Sequence, residues 1–378
     1  MAPVQYHEGR FPPDGRLDWP RLVPLIGPAS AAVARYDGML SGVPNPRILL
    51  APLSRREAER SSRIEGTQAT IGEVLEFEAG GKASSPARRD DILEVIQYRM
   101  AMEHAEGMMD ELPLSQRVIR ESHSVLLSRG RGRYRSPGAY RRNQNFIGPA
   151  GCSIEDATFV PIGAHKLLDA MAAWERYMHQ DHPDRLIQLA ILHAEFEAIH
   201  PFHDGNGRVG RMLVPLFMWQ MGLIRQPAFF ISPYLEANRE AYYEGLLSVS
   251  RDDDWTGWCR FFLHAVLIQA EDNLARAQAI LDLHEEMKSR VPDVTRTLYA
   301  VEVLDWMFER PIFSSVQLAR ETALSPPTAR RILQRLCDAE ILKEAIPARG
   351  RRPGIFVFPS LMRVAEGGEP TNPGESNA

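Results

Sequence analysis

His200-Pro201-Phe202-His203-Asp204-Gly205-Asn206-Gly207-Arg208-Val209-Gly210-Arg211 stands where one apolar helical run ends and another begins. Gly205 and Gly207 permit a tight turn with exposed amides. The helix that opens there presents unpaired N–H groups and the positive end of its dipole, so the turn is a ready anion site. Arg208 and Arg211 are three apart and share a face of the first turn, where forked donors can clasp phosphate oxygens. Asp204 is a hard oxygen ligand beside that site, the usual way a protein holds Mg²⁺ against a polyphosphate. His200, with an ordinary pKa near ~6.5, can accept a proton at neutral pH. Together these groups describe attack by a hydroxyl on a magnesium-bound phosphoryl group. A metal hydrolase built from His193, Glu197, His200, His203 and Asp204 fits less well. The cluster lacks the His-Glu-x-x-His helix geometry and leaves the glycines and arginines unexplained.

Outward from this stretch the pattern is helical at 163–180, 184–199, 206–221 and from about 237 to 289. Pro215 should kink the third run, because it lacks the N–H for the backbone ladder. Upstream, 54–78, 90–112 and 115–128 are amphipathic at helical spacing, with a break at 80–87. Between 140 and 162, two short apolar runs around Gly, Pro and Asp read as a β-hairpin. The first fifty residues, rich in Pro and Gly, read as an extended arm laid over the body. The expectation is a mainly α protein with one small β-hairpin.

Composition narrows the class. With 25% charged and 44% hydrophobic residues the chain is of ordinary globular type, and at 378 residues it is long enough for two or three domains. No window offers the ~18 uninterrupted apolar residues of a spanning helix, so no membrane partner is expected. The charged, proline-bearing N-terminus does not resemble a secretory signal. Cys152, Cys259 and Cys337 are odd in number and lack metal-ligand spacing, which points to a reducing compartment, the cytoplasm by default.

The stretch 200–211 resembles the signature of the Fic (Fic/DOC) family, His-x-Phe-x-(Asp/Glu)-Gly-Asn-Gly-Arg-x-x-Arg, at every fixed position. That resemblance implies a protein adenylyltransferase, which moves AMP from ATP to a Tyr, Thr or Ser hydroxyl of a protein target, the enzyme itself included. It implies His200 as the general base, Phe202 as the anchor of the loop and Asp204 as the Mg²⁺ ligand. The amides of Gly205, Asn206 and Gly207 would hold the phosphates with Arg208, and Arg211 would take the γ-phosphate. The hairpin at 140–162 resembles the family's flap, which registers a target by strand addition, with Phe146, Ile147 and Gly148 as its edge. Tyr242 and Tyr243 fall where the family lines its adenine site, with Asn238 and Ser250 as weaker candidates. Ser61 to Gly66 matches the (Ser/Thr)-x-x-x-Glu-(Gly/Asn) pattern of the inhibitory helix, in which Glu65 would pair with Arg211. Ser62-x-x-Glu65 is also a capping box, a bare helix start.

Toward the C-terminus, helices at 297–309, 314–322 and 327–338 and a Gly- and Arg-rich hairpin tip resemble a winged helix-turn-helix. Ten Lys or Arg against four Asp or Glu over 310–363 make DNA a candidate partner through Arg330, Arg331 and Arg335. The same module also serves protein contacts and homodimerisation. The domain reading is 1–112 for an N-terminal arm and helices, 113–289 for the Fic core, 290–365 for the winged helix and 366–378 for a disordered tail. Two other functions fit the same residues: a Fic enzyme that removes AMP, and an ATP-sensing DNA-binding regulator.

Overall fold

The computed structural model describes residues 2–13, 15–349 and 353–366. In chain order the helices are α1 (Trp19–Ser41), α2 (Arg47–Ile64), α3 (Ile71–Glu78), α4 (Pro86–Met109), α5 (Gln116–Leu126), α6 (Leu167–His179), α7 (Arg185–Ile199) and α8 (Asn206–Gln220). They continue as α9 (Ser232–Ala237), α10 (Arg239–Asp252), α11 (Trp255–Thr295), α12 (Ala300–Glu309), α13 (Ser315–Glu321), α14 (Pro326–Asp338) and α15 (Pro359–Glu366). The strands are β1 (Val4–Gln5), β2 (Phe159–Val160), β3 (Ile312–Ser314), β4 (Lys343–Ile346) and β5 (Ile355–Val357). Helix at 65% against strand at 4% makes the protein mainly α, as expected.

The chain divides into two units whose segments interleave along the sequence: 1–38, 60–67 and 96–271 in the first, 39–59, 68–95 and the chain from Asp272 onward in the second. In the first unit α7 is the axis. Asp184 caps it by accepting from the Ile187 amide at 2.9 Å, and every residue from Leu186 to Ile199 is buried. A helix apolar all round must be covered on every side, and α6, α8 and α10 pack against it. Trp174 and Trp258 each donate an indole N–H to an α7 carbonyl, Leu192 at 2.9 Å and Ala190 at 2.7 Å. In the second unit β3, β5 and β4 form an antiparallel sheet in that order. Its apolar residues Ile312 and Ile355 share a core with Ile71 and Leu75 of α3 and Met362 of α15. Ser314 and Ser325 cap α13 and α14, and Pro326 and Pro327 open α14 as a helix start.

Several expectations need correction. Residues 19–41 are helical, not an extended arm. Leu22, Ala29, Val33, Tyr36 and Leu40 recur at helical spacing and are buried, and that burial outweighs Pro24 and Pro28 inside the helix. The run 54–78 is broken at Gly66, whose φ of 95° ends one helix before Thr70 and Glu73 form the real capping box of the next. Ser62 lies in the last turn of α2, so Ser62-x-x-Glu65 starts no helix. The run 237–289 divides at Asp253, left-handed at φ 59°. Pro215 lies inside α8, which continues to Gln220. The hairpin at 140–162 reduces to one antiparallel bridge, Ile147 with Phe159; the second run pairs instead in parallel with β1, Val4 opposite Phe159 and Gln5 opposite Val160. The tip at Gly350, Arg351 and Arg352 and the tail 367–378 lie outside the described residues.

The N-terminal strand is fastened by a buried polar knot. Tyr6 donates its hydroxyl to Glu195 Oε1 at 2.6 Å, while His7 meets Glu195 Oε2 through Nε2 and Ser250 Oγ through Nδ1, both at 2.7 Å. Truncating Glu195 leaves two buried partners unsatisfied, each a loss of about 1–3 kcal/mol. Glu195→Ala should therefore lower the urea midpoint well beyond Tyr6→Phe, which leaves the His7 contact in place. Equal midpoints for the two variants would contradict the knot.

Candidate active site

The loop 200–205 is fixed from both sides. α7 ends at His200, held left-handed at φ 50° and ψ 62°. Phe202 is fully buried and stacks on His123 with ring centroids 3.7 Å apart. Asn206 clasps the Phe202 main chain twice: its Oδ1 accepts from the Phe202 amide and its Nδ2 donates to the Phe202 carbonyl, both at 2.8 Å. The carboxamide is thus spent on the loop itself, leaving only the Asn206 amide for an anion. His123 accepts from the Gly138 amide at Nδ1 and donates from Nε2 to the Asp204 carbonyl, both at 2.9 Å. Arg141 donates to the carbonyls of His200, Ile199 and Ile162.

α8 begins at Gly205, φ 79°, with no side-chain cap; the first helical bond runs from the Val209 amide to the Gly205 carbonyl. The amides of Asn206, Gly207 and Arg208 therefore precede the helical ladder and suit an anion. A Cβ at Gly207 would collide with Glu65 Oε1 and stand 2.9 Å from Arg211 Nη1, so this turn leaves a hollow that a side chain would fill. Asp204 is partly exposed and 3.4 Å from Arg208 Nη2. Asp204 is the carboxylate that would hold a magnesium ion here, and such an ion would supply charge neutralisation to a bound polyphosphate.

Arg211, on α8, is 1% exposed. Its Nε donates to Ser61 Oγ at 2.9 Å and its Nη2 to the Ser61 carbonyl and to Glu65 Oε1, each at 2.8 Å. Burial alone would raise the Glu65 carboxyl, but the Arg211 guanidinium outweighs it and holds Glu65 below the usual carboxylate range. Glu65 and Arg211 line a cavity of about 470 Å³ together with His200, Glu197, Tyr242 and Tyr243, and the flap residues Ile147 and Gly148 close one side. Phe146 is 41% exposed and lies outside this lining. Tyr242 is buried with its hydroxyl 2.9 Å from His193 Nε2, whereas Tyr243 is the more exposed ring of the pair. Asn238 bonds the Tyr234 carbonyl and Ser250 belongs to the His7 knot, so neither lines the cavity.

Burial pushes the His200 imidazole down to about 4. It is therefore neutral at pH 7, with Nδ1 3.3 Å from the Glu197 carbonyl, and the residue lines the cavity. Sequence reasoning gave Glu197 only a discarded metal-ligand role, and it overlooked His123 and Arg141. Glu197 is buried, its Oε1 has no hydrogen-bond partner among the described residues, and burial raises its carboxyl to about 8. Acids inside the otherwise apolar run 186–199 were the available signal.

Two family models match the chain in tandem, the Fic/DOC family N-terminal region over 23–106 and the Fic/DOC family over 113–218. The second contains the whole loop. The chain belongs to the Fic/DOC family. Among its Fic relatives, the protein adenylyltransferase Fic of Drosophila yakuba is 26% identical over 202 residues, 52% of this chain and 37% of that one. The protein of the same description from Drosophila melanogaster is 25% identical over the same shares. The match thus spans little more than a third of the length of these curated relatives. A Fic family protein from Desulfovibrio desulfuricans G20 has the same fold at a TM-score of 0.57 and 22% identity, over 89% of this chain and 96% of its own. Fic-1 from C. elegans superposes at 0.53 and 17% identity, over 69% and 75%.

The titrating groups of this Fic core set a pH profile for stability. Burial holds His123 near 4 and His193 near 3, as it holds His200 near 4. Between pH 6.5 and 4 the unfolded chain binds protons that these three histidines refuse, so stability falls as pH falls through that window. Glu197 acts the other way: the fold keeps a proton up to about pH 8 that the unfolded chain releases near 4.5, so its contribution is lost as pH rises through 8. Glu106, whose carboxyl burial raises to about 7, acts in the same direction as Glu197. Urea midpoints should climb from about pH 5 to 6 with a net difference of about one proton, three histidines against two carboxyls, and decline toward pH 8. Glu197→Gln should lessen the alkaline decline; a decline unchanged in that variant would contradict the assignment.

Proposed function

We propose that this protein transfers AMP from ATP to a Tyr, Thr or Ser hydroxyl of a protein target, itself included, and that Glu65 restrains the reaction. The observation that carries this reading is that His200 lines one cavity with Gly207 and Arg211 of α8; burial keeps its imidazole neutral at pH 7. The amides of Asn206, Gly207 and Arg208 receive the phosphates, and Arg211 takes the γ-phosphate once Glu65 leaves. Mg²⁺ at Asp204, when bound, neutralises phosphate charge. His200 Nε2 accepts the proton as the target oxygen bonds to the α-phosphorus. The bond from that phosphorus to the α,β-bridging oxygen breaks, and pyrophosphate departs. The main chain at 146–148 lends its edge to the target by strand addition. The adenylyltransferase name of the Drosophila relatives supports the same chemistry.

Two secondary proposals stand on particular residues. Glu65 shares the cavity with His200, so the same carboxylate can position a water for removal of AMP. In the second unit the order α12, β3, α13, α14, β4, β5 suits a winged helix, and the exposed Arg330 and Arg331 of α14 support phosphate contacts with DNA. Arg335 instead donates to the Thr295 carbonyl at 2.5 Å.

His200→Ala should cut transfer of labelled AMP by about 10²–10⁴-fold with nucleotide binding preserved, because the base acts on the acceptor and not on ATP. Full activity in this variant would overturn the reading. Glu65→Gln keeps the side chain's size and removes its charge, so Arg211 exchanges a charge-assisted partner for a neutral one. Transfer should rise roughly tenfold or more, the scale of a hydrogen bond to a charged group. Unchanged transfer in both Glu65→Gln and Glu65→Gly, with the protein folded, would remove the inhibitory role.

A further inference from the structure

We propose that the arginine-rich surface running from α5 to the flap docks an acidic segment of the protein being modified; this rests on the proposed transfer to a protein hydroxyl. From Ser122 to Ile154 the chain has no Asp or Glu, yet it carries arginines at 129, 131, 133, 135, 141 and 142, although the whole protein has a net charge of −5. Arg141 is buried and structural. Arg117, Arg120, Arg129, Arg133, Arg135 and Arg142 are exposed, and among the described residues none of these six is ion-paired. Other surface arginines are matched with acids, as in Arg88 with Glu73, Arg185 with Asp181, Arg251 with Glu244 and Arg290 with Glu286, and the run 122–154 is distinguished by holding no acid at all.

The unpaired guanidiniums are oriented without being neutralised. Arg120 donates through Nε to the Gly138 carbonyl at 2.9 Å and sits 5.4 Å over the Tyr140 ring. Arg133 sits 4.6 Å over Tyr134, a ring 79% exposed. Arg120 and Arg142 line one cleft of about 490 Å³ with Tyr140 and His165. The Tyr140 ring lies 5.2 Å from Phe202, and the Arg141 amide donates to the Pro201 carbonyl at 2.9 Å, so this cleft backs onto the loop that carries His200. From Arg142 the chain runs directly into the flap edge at Phe146.

A polypeptide laid on that edge passes over the cleft, where forked guanidiniums match carboxylates. The arginines at 129, 131, 133 and 135 alternate through a single 3₁₀ turn, Arg131–Tyr134, too short to lay one face along a DNA groove. The neighbouring open strand edge also suits main chain. Both features favour an acidic peptide over a nucleic acid.

The test uses full-length protein carrying Glu65→Gly, with and without Arg129→Ser, Arg133→Ser and Arg135→Ser together. The probes are labelled peptides bearing Tyr, Thr and Ser, flanked by a run of Glu or by a run of Gln, and a single-stranded oligonucleotide of matching charge. Fluorescence anisotropy should give binding about tenfold tighter for the Glu peptide than for the Gln peptide at low salt, with the gap closing at high salt and in the triple variant. In the transfer assay the difference should fall on KM and leave kcat alone. Equal binding of the two peptides, or tighter binding of the oligonucleotide, would overturn the docking assignment. Self-modification separates the two readings. If it is intact while the peptides bind alike, docking alone fails. If it is absent while Glu-peptide binding persists and depends on the three arginines, the proposed reaction fails and the docking surface stands.

Discussion

A guanidinium cannot be dehydrated without partners, and Arg211 is 1% exposed. Its position on the first turns of α8 places it beside the cavity proposed to receive ATP, so it would need one set of partners with nucleotide bound and another without. The chain supplies the second set from Ser61 and Glu65, 150 and 146 residues away in sequence. The end of α2 is drawn to α8 to satisfy a buried charge, and the carboxylate that does so lies in the space of Gly207. Inhibition of the proposed kind needs no separate device: any anion that satisfies Arg211 in the resting protein competes with a phosphate.

The dryness that makes Arg211 demanding also keeps the proposed base neutral. His200, His123 and His193 lie around α7 and the loop, and burial keeps each neutral. Their tautomers are set by opposed contacts: His123 lies between the Gly138 amide and the Asp204 carbonyl, and His193 between the Gly210 carbonyl and the Tyr242 hydroxyl. A neutral, oriented imidazole at His200 is thus a product of the apolar core behind it.

The sequence was most readable where one segment carries both pattern and chemistry. α7, α8 and the loop between them followed from apolar periodicity and the two glycines, and the roles proposed for His200, Asp204 and Arg211 were read from residue type together with the family resemblance. Long-range contacts were illegible to periodicity. The Glu65 to Arg211 pair entered through family resemblance, and the Tyr6, His7, Glu195 and Ser250 knot was missed because its members lie up to 243 residues apart. α1 was misread because Pro24 and Pro28 are strong local signals, while the burial that overrides them is a tertiary effect. The hairpin was overcalled because the partner of Phe159 and Val160 is the N-terminus, which no local pattern announces.

That N-terminal pairing has a consequence for what the flap can read. β1 occupies one side of β2, and the amide and carbonyl of Ile147 are both engaged with the 158–159 main chain on the other. Phe146 and Gly148 flank that bridge, and Pro149 follows without an N–H. On the proposed strand addition, an incoming strand would meet a short edge closed by a proline. Register on so short an edge would be coarse in energy but absolute in phase: a shift by one residue would turn the acceptor hydroxyl to the opposite face, and only shifts by two would keep it in play.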